Sequence, residues 1–277
     1  MRRHGIHPTK RLGQNFLISS AGLETVLDAA DVQSRETVLE IGAGLGALTR
    51  RLAEQAEHVV AVEIDKRLAA PLEETVGGCP NVRLVFGDIL RLDLSALLGD
   101  QPYAVVANIP YNITSHLIRR LLETPRPATR LVLTIQEEVA QRITAGEGAM
   151  NLLALSIQVY GEARIAGRIP ASAFLPAPQV NSAVVRIDMH SEPRVPPERV
   201  GIFFRLARAG FSQRRKQLKN SLAGGLRLDA RTAEGLLESA DLDVRVRAQE
   251  LGWVDWLRLA EVYSARYPGG GAGRDEG

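Results

Sequence analysis

Apolar and polar positions along the chain follow two periods, and the change from one to the other marks the predicted elements. Short β-branched runs predict strands at Val38–Ile41, His58–Glu63, Val82–Phe86, Tyr103–Ala107, Arg130–Gln136, Ala163–Ile169 and Ser182–Asp188. Stretches with helical spacing predict helices between them at Leu45–Gln55, Lys66–Val76, Thr114–Glu123, Glu137–Thr144 and Asn151–Tyr160. This alternation predicts an α/β fold with a parallel sheet and helices on both faces. The last two strands have no long helix between them, so we expect them to pair as an antiparallel edge.

The alternation stops at Met189–Glu198, where prolines replace the apolar positions and indicate a linker. Beyond it, helical spacing alone remains, and helices are predicted at Arg199–Phe211, Arg214–Leu222, Arg231–Ala240 and Trp253–Tyr267. We therefore expect a large α/β domain at 1–190, a small all-helical domain at 198–267 and a disordered tail at 268–277.

Composition excludes several classes of protein. The 277 residues are 45% hydrophobic and 24% charged, as in globular proteins and unlike disordered or collagen-like chains. Cys79 is the only cysteine, so no intramolecular disulfide can form. No apolar run approaches the roughly 20 residues that span a bilayer, and the charged first residues do not have the pattern of a secretory signal. We expect a soluble cytoplasmic protein.

A glycine-rich turn joins the first predicted strand to the next helix, in VLEIGAGLGALT at 38–49. Gly42, Gly44 and Gly46 permit a sharp turn and the close approach of a ligand. Their G-x-G-x-G spacing differs from the G-x-G-x-x-G of dinucleotide folds, and no P-loop Lys follows. Taken alone, the turn is also compatible with simple packing of helix on strand.

Two acids follow the next two strands. Glu63 ends the strand in VVAVEID, where a carboxylate can accept both hydrogen bonds of a ribose diol. Asp88 follows the strand before FGDIL, and could accept from an adenine amino group with Ile89 against the ring. The alternative for Asp88 alone is a helix N-cap. Together, a glycine turn and two acids without a phosphate clamp predict a pocket for S-adenosylmethionine, a cationic nucleoside without phosphate.

The fourth strand runs into NIPYNI, which contains Asn108, Pro110 and Tyr111. The exocyclic amine of a base is a poor nucleophile because its lone pair is delocalised into the ring. If the Asn108 side-chain oxygen and the Pro110 carbonyl accept its protons, the nitrogen becomes pyramidal and its lone pair can face a methyl donor. Tyr111 offers a stacking face for a base taken out of its helix. The alternative is a β-turn with a buried tyrosine.

The segments GQNFL (13–17), EIGAGLG, VEID, GDIL, NIPYN and FLPAPQVNS (174–182) resemble those of the ribosomal RNA adenine dimethyltransferases, in that family's order. The resemblance covers about residues 8–267 and is greatest to the KsgA type, which acts on the small ribosomal subunit. It implies a Rossmann-like methyltransferase fold, S-adenosylmethionine as donor, and dimethylation of N6 on two adjacent adenosines near the 3′ end of 16S rRNA. By motif, the residues implied to contact the donor are Asn15, Leu17, Gly42, Glu63, Asp88 and Asn108, to which the glycine turn adds Gly44 and the GDIL motif Ile89. Tyr111 and Phe174 are implied to flank the target adenine.

The chain is nearly neutral, at +2, but residues 196–267 hold 13 basic and 9 acidic residues. The densest basic run contains Arg214, Arg215, Lys216 and Lys219, for which we predict RNA phosphate contacts from one helix. The alternative is a solvated helix face. We expect 16S rRNA in the 30S subunit or its precursor as partner, a monomer, no membrane and, from the spacing of the histidines, no metal site.

Two other functions share most of these features. A large-subunit rRNA adenine methyltransferase of the macrolide-resistance type has the same pocket motifs, although FSQRRKQLKNSL at 211–222 resembles the small-subunit enzymes. A non-catalytic ribosome-assembly factor would keep the fold without needing NIPY and both acids. A small-molecule methyltransferase would not need the basic helical domain.

Overall fold

The structure is a computed structural model that describes residues 4–9, 12–110, 113–213 and 215–268. Tyr111, Arg214 and the tail from residue 269 onward, on which predictions were made, lie outside the described residues. The chain divides into two compact units: residues 1–141 with 162–189, and residues 142–161 with 190–277.

The described strands are β1 (Phe16–Leu17), β2 (Thr37–Ile41), β3 (His58–Glu63), β4 (Val82–Phe86), β5 (Tyr103–Asn108), β6 (Arg130–Gln136), β7 (Gly161–Ile169), β8 (Phe174–Leu175) and β9 (Ser182–Met189). The described α-helices are α1 (Ser20–Ala30), α2 (Ala47–Ala53), α3 (Ala69–Val76), α4 (Leu94–Leu98), α5 (Thr114–Leu122), α6 (Glu137–Ile143), α7 (Leu152–Tyr160), α8 (Pro197–Phe211), α9 (Leu218–Leu226), α10 (Ala230–Ser239) and α11 (Trp253–Arg266).

The first unit is built on a sheet that, among the described residues, has seven strands in the order β4-β3-β2-β5-β6-β9-β7. Strands β4, β3, β2, β5 and β6 are parallel, and β9 runs antiparallel to β6. The apolar runs are buried as expected for a covered parallel sheet, with Val38, Val105 and Leu133 fully enclosed. The predicted α/β class and the adjacency of the last two long strands are confirmed.

Two short strands, β1 and β8, pair an early segment of the chain with a segment that follows β7. In β1 and β8, Leu17 is opposite Phe174, although 157 positions separate them in sequence. Phe16, Ile6 and Leu68 form a small apolar cluster beside them. This pairing brings the GQNFL segment next to the start of the FLPAPQVNS segment.

The second unit contains α7 to α11 around a core of its own, with Trp256, Phe203, Leu218 and Leu222 fully buried. No β-strand occurs among the described residues of 190–268, in line with the all-helical prediction. The chain divides next to the predicted boundary at residue 190, but Arg142–Gly161, predicted to belong to the α/β domain, clusters with this second unit. Helix α7 contributes Ala154, Leu155 and Val159 to the same core.

One predicted helix begins in the wrong place. The run Arg214–Leu222 was predicted as helical throughout, but α9 begins at Leu218 and continues to Leu226. Gln217 has extended backbone angles, φ −60° and ψ 148°, so the described residues just before it are outside the helix. Arg215 lies in a turn and Lys216 in a bend.

Candidate functional site

Three of the predicted site segments follow neighbouring strands. Gly42 follows β2, Glu63 ends β3 and Asn108 ends β5, and β2 lies between the other two strands in the sheet. Chain order reverses at β2, and ligands of open α/β sheets bind at such a switch point, outside the carboxyl ends of the strands. The sheet therefore brings the glycine turn, the first acid and the NIPY segment together.

Other parts of the chain approach the backbone of the glycine turn closely. Gly42 and Gly44 have φ values of +85° and +59°, which side-chain-bearing residues rarely adopt. A Cβ on Gly42 would lie 3.2 Å from the Asn108 carbonyl oxygen, and one on Gly44 would lie 3.1 Å from the Phe16 ring. Glycine is required at both positions, by backbone conformation and by the neighbouring atoms.

Glu63 is nearly enclosed, with 5% of its surface exposed. Its Oε2 accepts from the Gly44 N–H at 2.8 Å, and its Oε1 accepts from the Asp65 N–H at 2.8 Å. Burial raises the pKa of Glu63, while these backbone hydrogen bonds lower it. Since a carboxylate offers about four lone-pair sites, two remain for the hydroxyls of a ribose.

Asn108 is tied to the GQNFL segment. Its Nδ2 donates to the Asn15 carbonyl at 3.0 Å, so the side-chain oxygen is the atom left to accept hydrogen bonds from a ligand. The Asn15 Nδ2 in turn donates to the Gly13 carbonyl at 3.3 Å. The structure thus brings together two residues from segments that sequence reasoning placed at one site.

The other residues predicted to contact the target base, Pro110 and Phe174, are less available to a ligand than Asn108. The Pro110 carbonyl accepts from the Ile113 N–H at 3.2 Å and from the Thr114 hydroxyl at 3.5 Å, so a target amine would have to displace the longer of these contacts. Phe174 is beside Leu17 in the β1–β8 pair but is only 3% exposed and packs in the core of the first unit. Its stacking role stays a prediction.

Asp88 lies beyond the end of β4, where its side chain is 34% exposed. Its Oδ1 accepts from the Leu90 N–H at 3.0 Å and its Oδ2 is 3.6 Å from Arg91 Nε. Both contacts are local, so the loop alone explains the present orientation of the carboxylate, while its exposure leaves it accessible to a ligand amine. Ile89 is buried beside it.

Sequence reasoning missed Glu40, the acid of the EIGAGLG segment. Glu40 is 1% exposed and lies on the wall of a cavity of about 290 Å³ that Gly42, Asn108 and Thr134 also line. Within the described part of the chain, neither its Oε2 nor the Thr134 hydroxyl has a hydrogen-bond partner. Burial raises the pKa of Glu40 to about 7, with Glu63 adding to the rise and Thr49 opposing it. The signal that could have found Glu40 is a charged residue inside an otherwise apolar strand.

These features fit the predicted donor. A buried carboxyl oxygen without a protein partner needs a hydrogen-bond donor or a positive charge from a ligand, and S-adenosylmethionine carries both. Across residues 4–9, 12–110, 113–213 and 215–268, no cluster of His, Cys, Asp and Glu suited to a metal ion occurs. Over the same residues, no helix combines the length and apolarity needed to cross a bilayer.

The basic run at 214–219 differs from the predicted helix face. Arg215 and Lys216 are exposed and precede α9, whereas Lys219 is inside it, so the four-residue helical spacing between Arg215 and Lys219 does not exist. Lys219 Nζ donates to Glu234 Oε1 at 2.7 Å, which compensates its charge within the protein. Leu218 and Leu222, in the same segment, are buried in the core of the second unit.

Comparison with known proteins places this chain in a family. The sequence profile described as Ribosomal RNA adenine dimethylase matches residues 7–262. The chain belongs to this family. It is 42% identical over 265 residues to the Ribosomal RNA small subunit methyltransferase A of Dehalococcoides mccartyi (strain CBDB1), covering 95% of this chain and 91% of that one. It is 40% identical over 273 residues to the protein of the same name from Moorella thermoacetica, covering 95% and 94%.

Solved structures agree on the fold. A dimethyladenosine transferase from Plasmodium falciparum superposes with a TM-score of 0.78 at 23% identity, over 91% of this chain and 98% of that one. The 23S rRNA methyltransferase ErmE gives 0.72 at 29% identity, over 90% and 99%. As a member of the dimethylase family, the chain is an S-adenosylmethionine-dependent enzyme that dimethylates rRNA adenine.

Proposed function

We propose that this enzyme dimethylates N6 of two adjacent adenosines near the 3′ end of 16S rRNA, within the 30S subunit or its precursor. The observation that carries this choice is the identity of about 40% over nearly the whole chain to relatives named for the small subunit. We also propose that the enzyme acts in the cytoplasm and as a monomer.

For the donor, we propose that Asn15, Leu17, Gly42 and Gly44 hold the amino-acid end and that Glu63 accepts from the ribose hydroxyls. Asp88 would accept from the adenine amine, with Ile89 against the ring. Glu40 supports this orientation, because its partnerless carboxyl oxygen lines the same cavity as Gly42 and Asn108. S-adenosylmethionine supplies an electrophilic methyl group on a sulfonium centre.

For the target base, we propose that the Asn108 side-chain oxygen and the Pro110 carbonyl accept the two protons of the adenine amine. Hydrogen bonds to both protons favour a pyramidal nitrogen whose lone pair points away from the ring and toward the methyl group. The bond from nitrogen to the methyl carbon forms as the carbon–sulfur bond breaks, and the methylated nitrogen then releases a proton to solvent. Tyr111 and Phe174 would flank the ring.

For the ribosomal particle, we propose that Arg214, Arg215 and Lys216 contact phosphates, with Lys219 a weaker candidate because Glu234 pairs with it. Such contacts position the substrate without reading its bases. A single adenine buries too little surface to select one RNA among many, so we propose that a wider footprint selects the substrate.

The test is to incubate the enzyme with radiolabelled S-adenosylmethionine and either unmodified 30S or unmodified 50S particles, then to map the labelled base. We expect two adjacent dimethyladenosines in 16S rRNA and no label in 50S particles. Label in 23S rRNA would instead favour the large-subunit activity, to which the structural similarity with ErmE gives some support. Donor binding with no label in either particle would favour a non-catalytic assembly factor.

A further inference from the structure

Gln14 has no role in the proposed chemistry, yet its side chain makes one local and one long-range hydrogen bond beside the site. Its Oε1 accepts from the Thr9 N–H at 2.8 Å, and its Nε2 donates to Asp65 Oδ2 at 2.8 Å. The second contact spans 51 residues and joins the GQNFL segment to the loop after β3. A glutamine that served only as a local loop cap would not need that second partner.

Asp65 is a firm anchor for this contact. Its Oδ1 accepts from Arg67 Nε at 2.9 Å and its Oδ2 from the Arg67 guanidinium at 2.6 Å. The Arg67 hydrogen bonds lower the pKa of Asp65 to about 2, so the acceptor is ionised at any working pH. Its own N–H donates to Glu63 Oε1, which fixes the loop to the end of β3. Hydrogen bonds to an ionised acceptor are about twice as strong as neutral ones.

Asn15, the residue next to Gln14, orients the side-chain amide of Asn108. The Asn15 carbonyl accepts from Asn108 Nδ2 at 3.0 Å, and Asn108 is the residue whose oxygen must face the adenine amine. If this carbonyl moved away, the Asn108 amide could turn by half a revolution and present its N–H₂ group to another N–H₂ group. Two donors facing each other cannot form the hydrogen bond that the chemistry needs.

We propose that Gln14 is a positioning residue that fixes the Asn15 carbonyl through its bridge to Asp65, and thereby holds the Asn108 side-chain oxygen toward the target amine. The inference rests on the proposed role of Asn108 as acceptor. The bridge would link the loop of Glu63 and Asp65, beside the proposed donor site, to Asn108, which is proposed to contact the target base.

Two substitutions separate the contacts of Gln14. Gln14→Met keeps the approximate length and volume of the side chain but makes neither hydrogen bond. Gln14→Glu keeps an oxygen for the Thr9 N–H but places a carboxylate against Asp65. Gln101→Ala, at an exposed position, is the matched control. If the bridge to Asp65 matters, both Gln14 variants are impaired and the control is not.

The first measurement is the single-turnover rate of methylation on unmodified 30S particles, at saturating donor and saturating particles. We expect both Gln14 variants to be slower by about tenfold to a hundredfold, the range expected from a small displacement of a reacting group. A normal saturated rate with only a raised KM for the donor would overturn the proposal, since Gln14 would then act on donor binding alone. A normal rate for Gln14→Glu would overturn it as well, because the Thr9 contact would suffice.

The second measurement does not depend on activity. In protein labelled with ¹⁵N-asparagine, the Asn108 side-chain amide signal is identified by its loss in Asn108→Ala. We expect faster exchange of its protons with water in both Gln14 variants than in the wild type or in Gln101→Ala. Unchanged exchange would overturn the proposal. A wrong role for Asn108 can be told apart from a wrong role for Gln14, because Asn108→Ala would then methylate at the wild-type rate.

Discussion

Glu63 Oε2 accepts a hydrogen bond from the Gly44 backbone N–H at 2.8 Å, which joins the acid at the end of β3 to the glycine turn after β2. A second contact ties the two strands at this point, from the Gly42 N–H to the Val62 carbonyl at 2.9 Å. The proposed ribose acceptor is therefore oriented by the same turn that, in the proposed site, approaches the donor. We therefore expect loss of the Glu63 side chain to weaken donor binding.

Glu63→Ala should weaken S-adenosylmethionine binding by about 2–4 kcal/mol, because it removes hydrogen bonds to an ionised acceptor. Isothermal titration calorimetry on the purified enzyme measures the change. Glu63→Gln, which keeps one accepting oxygen, should lose less. Glu198→Ala, in the second unit, is the control and should bind the donor normally. Unchanged affinity in Glu63→Ala would remove Glu63 from the donor site.

Glu40 should make the stability of the donor-free enzyme depend on pH. Its folded pKa of about 7 lies above the ordinary glutamate pKa of 4.5, so between these values the folded state binds more protons than the unfolded state. The free energy of unfolding therefore falls as pH rises through this window, by about 3 kcal/mol from this group. Glu40→Gln removes the effect, so the variant should gain stability relative to the wild type from pH 5 to pH 7. Urea unfolding at several pH values measures this difference, and a pH-independent difference would contradict the assignment.

Regular patterns made much of the fold predictable. The strands His58–Glu63, Val82–Phe86 and Arg130–Gln136 have the predicted bounds. The first and third are buried and appear as nearly continuous apolar runs, whereas the half-buried second strand was predictable from its β-branched residues. The glycine turn and Glu63 were predictable because a parallel sheet brings successive strand ends to one edge. Asn15 and Leu17 were identified by resemblance alone.

Other features depend on contacts that local sequence does not encode. The pairing of β1 with β8 involves two residues on each side, too few for a periodic signal. Helix α7 is apolar over most of its surface, so its pattern does not indicate which core it joins. The start of α9 was misplaced because Arg215 and Lys216 favour helices, while the extended Gln217 is held by the Leu218 N–H donating to the Val246 carbonyl.

Asn108→Ala should abolish most methyl transfer while retaining RNA binding. In the proposed mechanism its side-chain oxygen orients the target amine, and loss of a positioned hydrogen-bonding group of this kind costs about a hundredfold or more in turnover. The measurements are the single-turnover rate on unmodified 30S particles and the affinity for those particles. Asn220→Ala, at an exposed position in α9, serves as the control. Near-normal methylation by Asn108→Ala would show that amine orientation through this residue is the wrong mechanism.

The ion pair between Lys219 and Glu234 changes which basic residues should matter for the ribosomal particle. Arg215 and Lys216 are exposed, whereas Lys219 is one-quarter exposed and its charge is already matched at 2.7 Å. Release of counterions from RNA requires a cation that is free to approach a phosphate. Arg215→Ala with Lys216→Ala should therefore weaken binding to 30S particles and reduce the slope of log affinity against log salt by about two units.

Lys219→Ala is the matched control, with an expected slope change well below one unit. Donor affinity should stay unchanged in both variants, because the proposed donor-binding residues belong to the first unit. Binding measured by filter retention between low and moderate salt gives each slope. An unchanged slope in the double variant would make these residues a solvated surface. A larger change in Lys219→Ala than in the double variant would show that RNA displaces Glu234 and uses Lys219 instead.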